Sequence, residues 1–235
     1  MRTTLPSTFA ATRGSMHALA EQVVAPARFH VDGHIGLRPA PGGFGTPEFG
    51  AGEVVRIEGV DIVHERQGVV RRGALTTLRA AAGFVGVPLG APDVYEAATA
   101  HDADAPLDLD LASATAVAAW FDHADRLLTA LSALHPDVPA TAAQLWPEHF
   151  DLAIELGDEA AGTRGTYGAS LGDETIDEPY LYATAWDPAR RVGPLAEYPF
   201  GAARRYREVV ADGNPGRSGL AFFSRCAQLV LEGAG

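Results

Sequence analysis

The stretch from Trp146 to Leu156 limits what this chain can fold into more than any other part of its sequence. From His149 onward polar and apolar residues alternate, which is the pattern of a β-strand with one buried face. The alternation therefore predicts a strand over residues 149–156. Its buried face would consist of Phe150, Leu152, Ile154 and Leu156, and its polar face of His149, Asp151 and Glu155. An imidazole would then lie beside carboxylates on this strand.

Short β-rich segments follow one another without a helix between them in both halves of the chain. The predicted strands are 53–58, 60–66 and 69–72, and later 149–156, 163–171 and 180–186. Neighbouring strands joined by short turns pair antiparallel, whereas parallel strands need a crossover helix. Helical spacing of apolar residues over 111–134, after a cap at Asp110, predicts the clearest helix. We therefore predict an α+β fold, with one or more antiparallel sheets and flanking helices.

The domain organisation is predicted from changes in composition along the chain. Residues 1–14 are expected to form a flexible arm, and residues 15–235 a single α+β domain. An acidic, Pro-containing segment without periodicity, residues 88–110, is the best candidate for a linker. It would join two halves of the domain, 15–87 and 111–235.

The N-terminal region contains a candidate metal site, for which two interpretations remain open. A helix from Ser15 is expected to end at Pro26, and alternation then predicts a strand from Phe29 to Leu37. One face of that strand would carry His30, Asp32 and His34. Two imidazoles that flank a carboxylate can bind a metal ion, but the solvent face of an antiparallel sheet needs no ligand to explain its polar residues. We expect no bound metal here.

Charge and cysteine content exclude several partners. The net charge is −12, from 18 basic and 30 acidic residues, and every basic residue is Arg. Nucleic acid is not expected as a partner, because phosphate binding requires concentrated positive charge. Cys226 is the single cysteine, no apolar run has the length of a signal peptide, and none approaches the ~20 residues that span a bilayer. The sequence therefore predicts a soluble cytoplasmic protein with no membrane partner, and it leaves the oligomeric state open.

No short catalytic or cofactor signature is present. The chain has no phosphate loop ending in Lys, no Gly-x-Gly-x-x-Gly before a helix, no Gly-x-Ser-x-Gly and no His-Glu-x-x-His. These absences weigh against nucleotide hydrolysis, dinucleotide redox chemistry, hydrolases of the nucleophile-elbow type and zincin proteases. No cofactor is expected, and families without short signatures remain open.

The candidate catalytic residues are Glu148, His149 and Asp151, which would act as acid, base and orienting carboxylate. The alternative is a histidine that merely hydrogen-bonds a neighbouring strand. The candidate ligand-binding residues are Phe44, Trp146, Tyr167, Asp173, Glu178 and Tyr182. Tyr180, Tyr182, Thr184 and Trp186 share one strand face, which is typical of a pocket wall or an interface.

Two functions of different classes are consistent with these residues. The first is a small-molecule pocket near the 149–156 strand, and the sequence leaves open whether it belongs to an enzyme. The second is a non-catalytic binding or assembly module, in which the Gly-rich loop over 39–47 presents Phe44 and the aromatic strand face docks another chain.

Four segments together resemble a family of uncharacterised actinobacterial proteins: 33–47 with its Gly-Gly-Phe-Gly-Thr-Pro, 75–86, 145–153 with its Trp-Pro-Glu-His-Phe-Asp-Leu-Ala, and 178–182. The resemblance spans most of the chain. It implies no activity, but it marks the Phe44 loop, the Trp146 strand and the turn from Asp173 to Tyr182 as signature segments. Members more usually have Pro in place of Leu171 and a His near Ile176, so any role of that His is missing in this chain.

Overall fold

The predicted α+β class is confirmed. The computed structural model describes residues 4–232, and within them six α-helices accompany two antiparallel sheets of five strands each. No helix in this range is long and apolar enough to cross a membrane.

The chain divides into two compact units. The first unit consists of Leu5–Asp122 and Leu145–Phe150, and the second of Met1–Thr4, His123–Gln144 and Asp151–Gly235. The single domain over 15–235 and its two halves, 15–87 and 111–235, stay predictions.

The first unit begins with one continuous helix. It runs from α1 (Phe9–Leu19) through a π-helical turn (Ala20–Val24) into α2 (Ala25–Asp32). Two predictions are therefore wrong: the arm over 1–14 from Phe9 onward, and the strand from Phe29 to Leu37. The helix begins early because its buried stripe starts at Phe9 and continues through Thr12, Ser15 and Met16. It ends at Gly33, whose φ of +76° is the left-handed conformation of a glycine cap.

Pro26 lies inside this helix without ending it. In the π turn the N–H of Ala25 bonds the carbonyl of Ala20, five residues back. The next donor in that register would be Pro26, which has no N–H, so the carbonyl of Glu21 lacks its partner. In the α-helical register, residue 26 would donate its N–H to the carbonyl of Gln22. Because Pro26 has no N–H, this carbonyl also lacks its partner.

Both carbonyls are satisfied by the acidic segment 88–110, which we call the strap. The Tyr95 hydroxyl donates to the carbonyl of Glu21 at 2.6 Å, and the N–H of Gly90 donates to that of Gln22 at 3.1 Å. The strap also binds the helix further along, since the N–H of Asp108 donates to Ser15 Oγ at 2.9 Å. Within the first unit this segment is therefore packed against the helix.

The first sheet is a meander in the order β1-β2-β3-β4-β5. Its strands are β1 (Arg38–Ala40), β2 (Gly43–Gly45), β3 (Glu53–Glu58), β4 (Asp61–Arg66) and β5 (Val69–Ala74), and α3 (Leu78–Val85) follows. The three predicted strands of this region are confirmed, whereas β1 and β2 replace the predicted loop over 39–47. A Cβ on Gly43 would lie 2.2 Å from the carbonyl oxygen of Ile57, so glycine is required for β2 to approach β3 this closely.

The second sheet has the strand order β10-β9-β8-β7-β6. Its strands are β6 (Gln144–Trp146), β7 (Asp151–Leu156), β8 (Gly165–Ser170), β9 (Tyr180–Ala185) and β10 (Ala202–Arg205). The remaining helices are α4 (Leu111–Leu134), which confirms the clearest helical prediction, α5 (Tyr206–Ala211) and α6 (Pro215–Glu232). One face of β8 and β9 packs against α6, where the Tyr167 and Phe223 rings lie 6.2 Å apart.

Candidate functional site

The predicted site residues belong to both units. The first unit contains Phe44, Trp146, Glu148 and His149. The second contains Asp151, Tyr167, Asp173, Glu178 and Tyr182.

His149 does not lie on a strand, so the predicted strand face that it shares with Asp151 is wrong. β7 begins at Asp151, and His149 is exposed on the turn before it. The turn ends at Phe150, whose φ is +49° and whose N–H bonds the carbonyl of Trp146 at 2.8 Å. A non-glycine residue in this conformation is uncommon and must be held by its surroundings. This turn reverses the chain, although the alternation of polar and apolar residues continues through it in the sequence.

Phe150 is held by three rings of the first unit. It stacks on His17 at 5.2 Å and meets Phe44 and Phe121 edge-on at 5.0 and 5.4 Å. Phe44 is fully buried on β2, so the prediction that a loop presents it to a partner is wrong. Trp146, at the end of β6, is half-buried.

The imidazole beside Glu148 is that of His17, from α1. Its Nε2 lies 2.9 Å from the carbonyl oxygen of Pro147, and its ring covers Phe150. Burial lowers the pKa of His17, and the nearby Glu21 carboxylate opposes that shift only in part. His17 is therefore neutral at pH 7, and it occupies the place that the sequence assigned to His149.

Glu21 is a fully buried carboxylate on the π-helical turn. The strap donates three hydrogen bonds to it, from the N–H of Ala98 at 2.5 Å, the N–H of Thr99 at 3.1 Å and the hydroxyl of Thr99 at 2.5 Å. His17 Nε2 lies 3.4 Å from its Oε1. A buried charge is tolerated only when it is hydrogen-bonded in this way.

Glu148 supplies the second carboxylate of this region. Its Oε2 is buried and has no hydrogen-bond partner within residues 4–232. Burial raises the pKa of the Tyr95 hydroxyl, and Glu21 and Glu148 raise it further, so this phenol stays protonated. We call His17, Glu21, Tyr95 and Glu148 the Glu21 cluster. It combines two carboxylates, a neutral imidazole and a phenol, which are groups used in acid–base chemistry.

Sequence reasoning identified Glu148 of this cluster and missed the other three residues. One signal was available: His17 and Glu21 are four residues apart on one helix, and Glu21 is the only charged residue between His17 and Pro26. The contribution of Tyr95 had no local signal, because the strap has no periodicity.

In the second unit, one sheet face brings together three of the predicted residues. The Tyr182 hydroxyl donates to Asp151, and the Tyr180 hydroxyl donates to Asp173. Burial raises the pKa of both phenols, and the carboxylates raise it further. The Tyr180 ring also stacks on Phe200 at 5.7 Å. Both tyrosines are therefore held as protonated donors.

Tyr167 and Glu178 do not join this face. Tyr167 pairs with Ala183 in the register of β8 and β9, whereas Gly168 pairs with Tyr182, so the two tyrosines that were predicted to line one site lie on opposite faces of the sheet. Tyr167 is a core residue beneath α6, and burial raises the pKa of its hydroxyl. Glu178 instead accepts a hydrogen bond from the N–H of Arg207 at the start of α5.

The three residues of the candidate metal site do not share a strand. His30 and Asp32 lie in the last turn of α2, and His34 follows the glycine cap. The N–H of His34 donates to Asp32 Oδ1 at 2.9 Å, so this carboxylate has a local structural role after the end of α2. Over residues 4–232 no three His, Cys, Asp or Glu side chains are grouped as metal ligands.

No protein-family model matches this chain, and no curated protein or solved structure is significantly similar to it. The resemblance to an actinobacterial family therefore stays an expectation.

Proposed function

We propose that this protein binds a small molecule at the Glu21 cluster, beside the Trp-Pro-Glu-His-Phe turn. The observation that carries the proposal is the buried Glu148 Oε2 without a hydrogen-bond partner. Leaving a buried carboxylate oxygen unsatisfied costs about 1–3 kcal/mol or more. A ligand that donates a hydrogen bond to this oxygen recovers that energy.

Charge favours a protonated amine as the donor. Glu21 already accepts three hydrogen bonds from the strap, whereas Glu148 retains an open acceptor. His17 is neutral and Tyr95 is protonated, so neither offsets the two carboxylates, and the single positive charge of Arg13, which lowers the pKa of His17, offsets only part of theirs. A cationic donor is attracted by this charge and an anion is repelled. The His17 side chain keeps 17% of its surface exposed, so solvent reaches the cluster from that side.

If the bound molecule is turned over, His17 is the base that we assign. Its Nε2 donates to the carbonyl of Pro147 in the neutral tautomer that fits this contact, so Nδ1 carries the free lone pair. A lowered pKa keeps this lone pair available at neutral pH.

The test is a thermal-shift screen of monoamines, diamines and guanidines, together with neutral and carboxylate analogues of the same carbon skeletons. We expect an amine to stabilise the wild type, by about 2.7 kcal/mol at 100 times its Kd. Glu148→Gln removes the charge and should abolish most of the shift. Glu96→Gln is the matched control, because Glu96 is exposed on the strap. Shifts that are equal in both variants, or absent throughout the panel, overturn the proposal.

The rival function is assembly through the Phe44 loop. It is not supported by Phe44, because this side chain is buried and is not presented to a partner. Docking through the aromatic strand face stays a prediction, as do the cytoplasmic location and the absence of nucleic-acid partners. Sizing by light scattering at several concentrations tests assembly directly.

A further inference from the structure

We infer a second, independent binding site in the second unit, for a neutral carbohydrate, in the cleft beside Trp186. The cleft measures about 360 Å³, within the range of small-molecule pockets. It is lined by Glu159, Ala160, Gly162, Arg164, Trp186 and Asp187.

Trp186 provides a rigid apolar platform in this cleft. It is 38% exposed, yet its indole is fixed on two sides. Its Nε1 donates to Thr166 Oγ1 at 2.9 Å, and the Arg164 guanidinium lies 4.4 Å from the ring centroid. Binding to a side chain that is already ordered loses little rotamer entropy. A flat indole with a polar rim suits the face of a sugar ring, which exposes C–H groups between its hydroxyls.

Hydrogen-bonding groups flank the platform. Arg164 forms ion pairs with Glu155 and, at 3.5 Å, with Glu159. Asp187 uses Oδ1 to accept from the N–H of Ala189 at 2.9 Å. Its Oδ2 faces Gly162, where a Cβ would lie 3.2 Å away, so glycine keeps this oxygen accessible. The cleft therefore offers donors and acceptors on either side of an aromatic ring.

This combination favours a neutral polyhydroxylated ligand over a charged one. Glu155 and Glu159 together outweigh the single positive charge of Arg164, and Asp187 adds further negative charge, which disfavours an anion. Arg164 already covers one face of the indole, so the ligand would stack on the opposite face, where a second cation gains less from a ring that already binds one. A pair of neighbouring sugar hydroxyls both donates and accepts, as the residues of this cleft require.

The surface has room for more than one sugar ring. A second cleft, of about 620 Å³, shares Glu159, Ala160 and Arg164 with the first and continues past Asp158 to Pro139. We therefore expect a disaccharide or longer oligosaccharide to bind better than a monosaccharide.

Isothermal titration with maltose, cellobiose and their monosaccharide, with glucosamine and glucuronate as charged analogues, tests this inference. We expect a neutral disaccharide to bind saturably. Trp186→Ala should weaken it at least about tenfold, the loss of one good aromatic contact. Asp187→Asn, which keeps the Oδ1 acceptor, should weaken it less. Val192→Ala, at an apolar residue that is as exposed as Trp186 but does not line the cleft, should have no effect.

Unfolding curves show whether Trp186→Ala remains folded, and the Asp187→Asn result stands if it does not. Binding by Glu148→Gln at wild-type affinity separates this site from the proposed amine site. The inference is overturned if no saccharide binds, if only a charged analogue binds, or if both Trp186→Ala and Asp187→Asn bind as the wild type does.

Discussion

The Tyr95 hydroxyl donates a 2.6 Å hydrogen bond to the main-chain carbonyl of Glu21, whose partner in the π register would have been the N–H that Pro26 lacks. Tyr95→Phe removes this donor and leaves a buried carbonyl unsatisfied. We expect a loss of about 1–2 kcal/mol in the free energy of unfolding, measured by urea denaturation. Tyr198→Phe is the matched control, because the Tyr198 hydroxyl has only a 3.4 Å contact with Arg205. Equal effects of the two variants would contradict this account of the helix.

His17 should make stability depend on pH. Its pKa is lowered below the ordinary 6.5 by burial, so the unfolded chain takes up a proton more readily than the folded one. The free energy of unfolding is therefore highest above pH 6.5. It decreases as the pH falls below that value, by up to about 1.4 kcal/mol per pH unit. His17→Gln should flatten urea midpoints between pH 5 and 7. The exposed His149, changed to Gln, should leave the slope unchanged; an unaltered slope in His17→Gln rules this explanation out.

Phe44→Ala should behave as a core substitution. The ring is fully buried against Phe150, so we expect a loss of about 3–5 kcal/mol in stability with no change in molecular mass by light scattering. Val70→Ala on β5 serves as the control, since Val70 is 57% exposed and should change stability by less than about 0.5 kcal/mol. If Phe44→Ala instead dissociated an oligomer at unchanged stability, the assembly function would return.

Two glycines should respond to alanine in opposite directions. A Cβ on Gly168 would lie 2.6 Å from the Tyr182 ring, so Gly168→Ala should destabilise the protein by about 1–3 kcal/mol. Gly83 lies within α3 with open space around it, and Gly83→Ala should stabilise by about 0.5–1 kcal/mol. Denaturant midpoints for both variants check the pair. A neutral Gly168→Ala would mean that Tyr182 is free to move away.

Elements with strong periodicity were predictable from the sequence. α4 and strands β3 to β5 lie where the sequence predicts them, because apolar spacing reflects which side chains are buried. The N-terminal helix was predicted from Ser15 to Pro26, but its continuation to Asp32 was not, since Pro26 normally ends a helix. Its continuation depends on a π turn and on partners in the strap, which a local pattern does not reveal.

The prediction of the candidate site was wrong at two points, and at both the structure depends on contacts between residues that are distant in sequence. Alternation continues through Phe150, but three surrounding rings hold this residue in a left-handed conformation that turns the chain. Tyr167 and Tyr182 both lie on strands, and only the register of β8 against β9 decides which face each one takes. Asp151 and Tyr182 were both predicted, and the structure pairs them.

The helix over residues 9–32 is synthesised well before the strap that completes its hydrogen bonds. Tyr95 is 74 residues from Glu21 in the sequence, and Ala98 is 77 residues from it. Closing this loop has an entropic cost, which precedes the hydrogen bonds to the Glu21 carbonyl and carboxylate. We expect a nascent chain stalled before residue 88 to remain sensitive to protease between residues 9 and 32. Release of the strap from the exit tunnel should then protect the helix in one cooperative step.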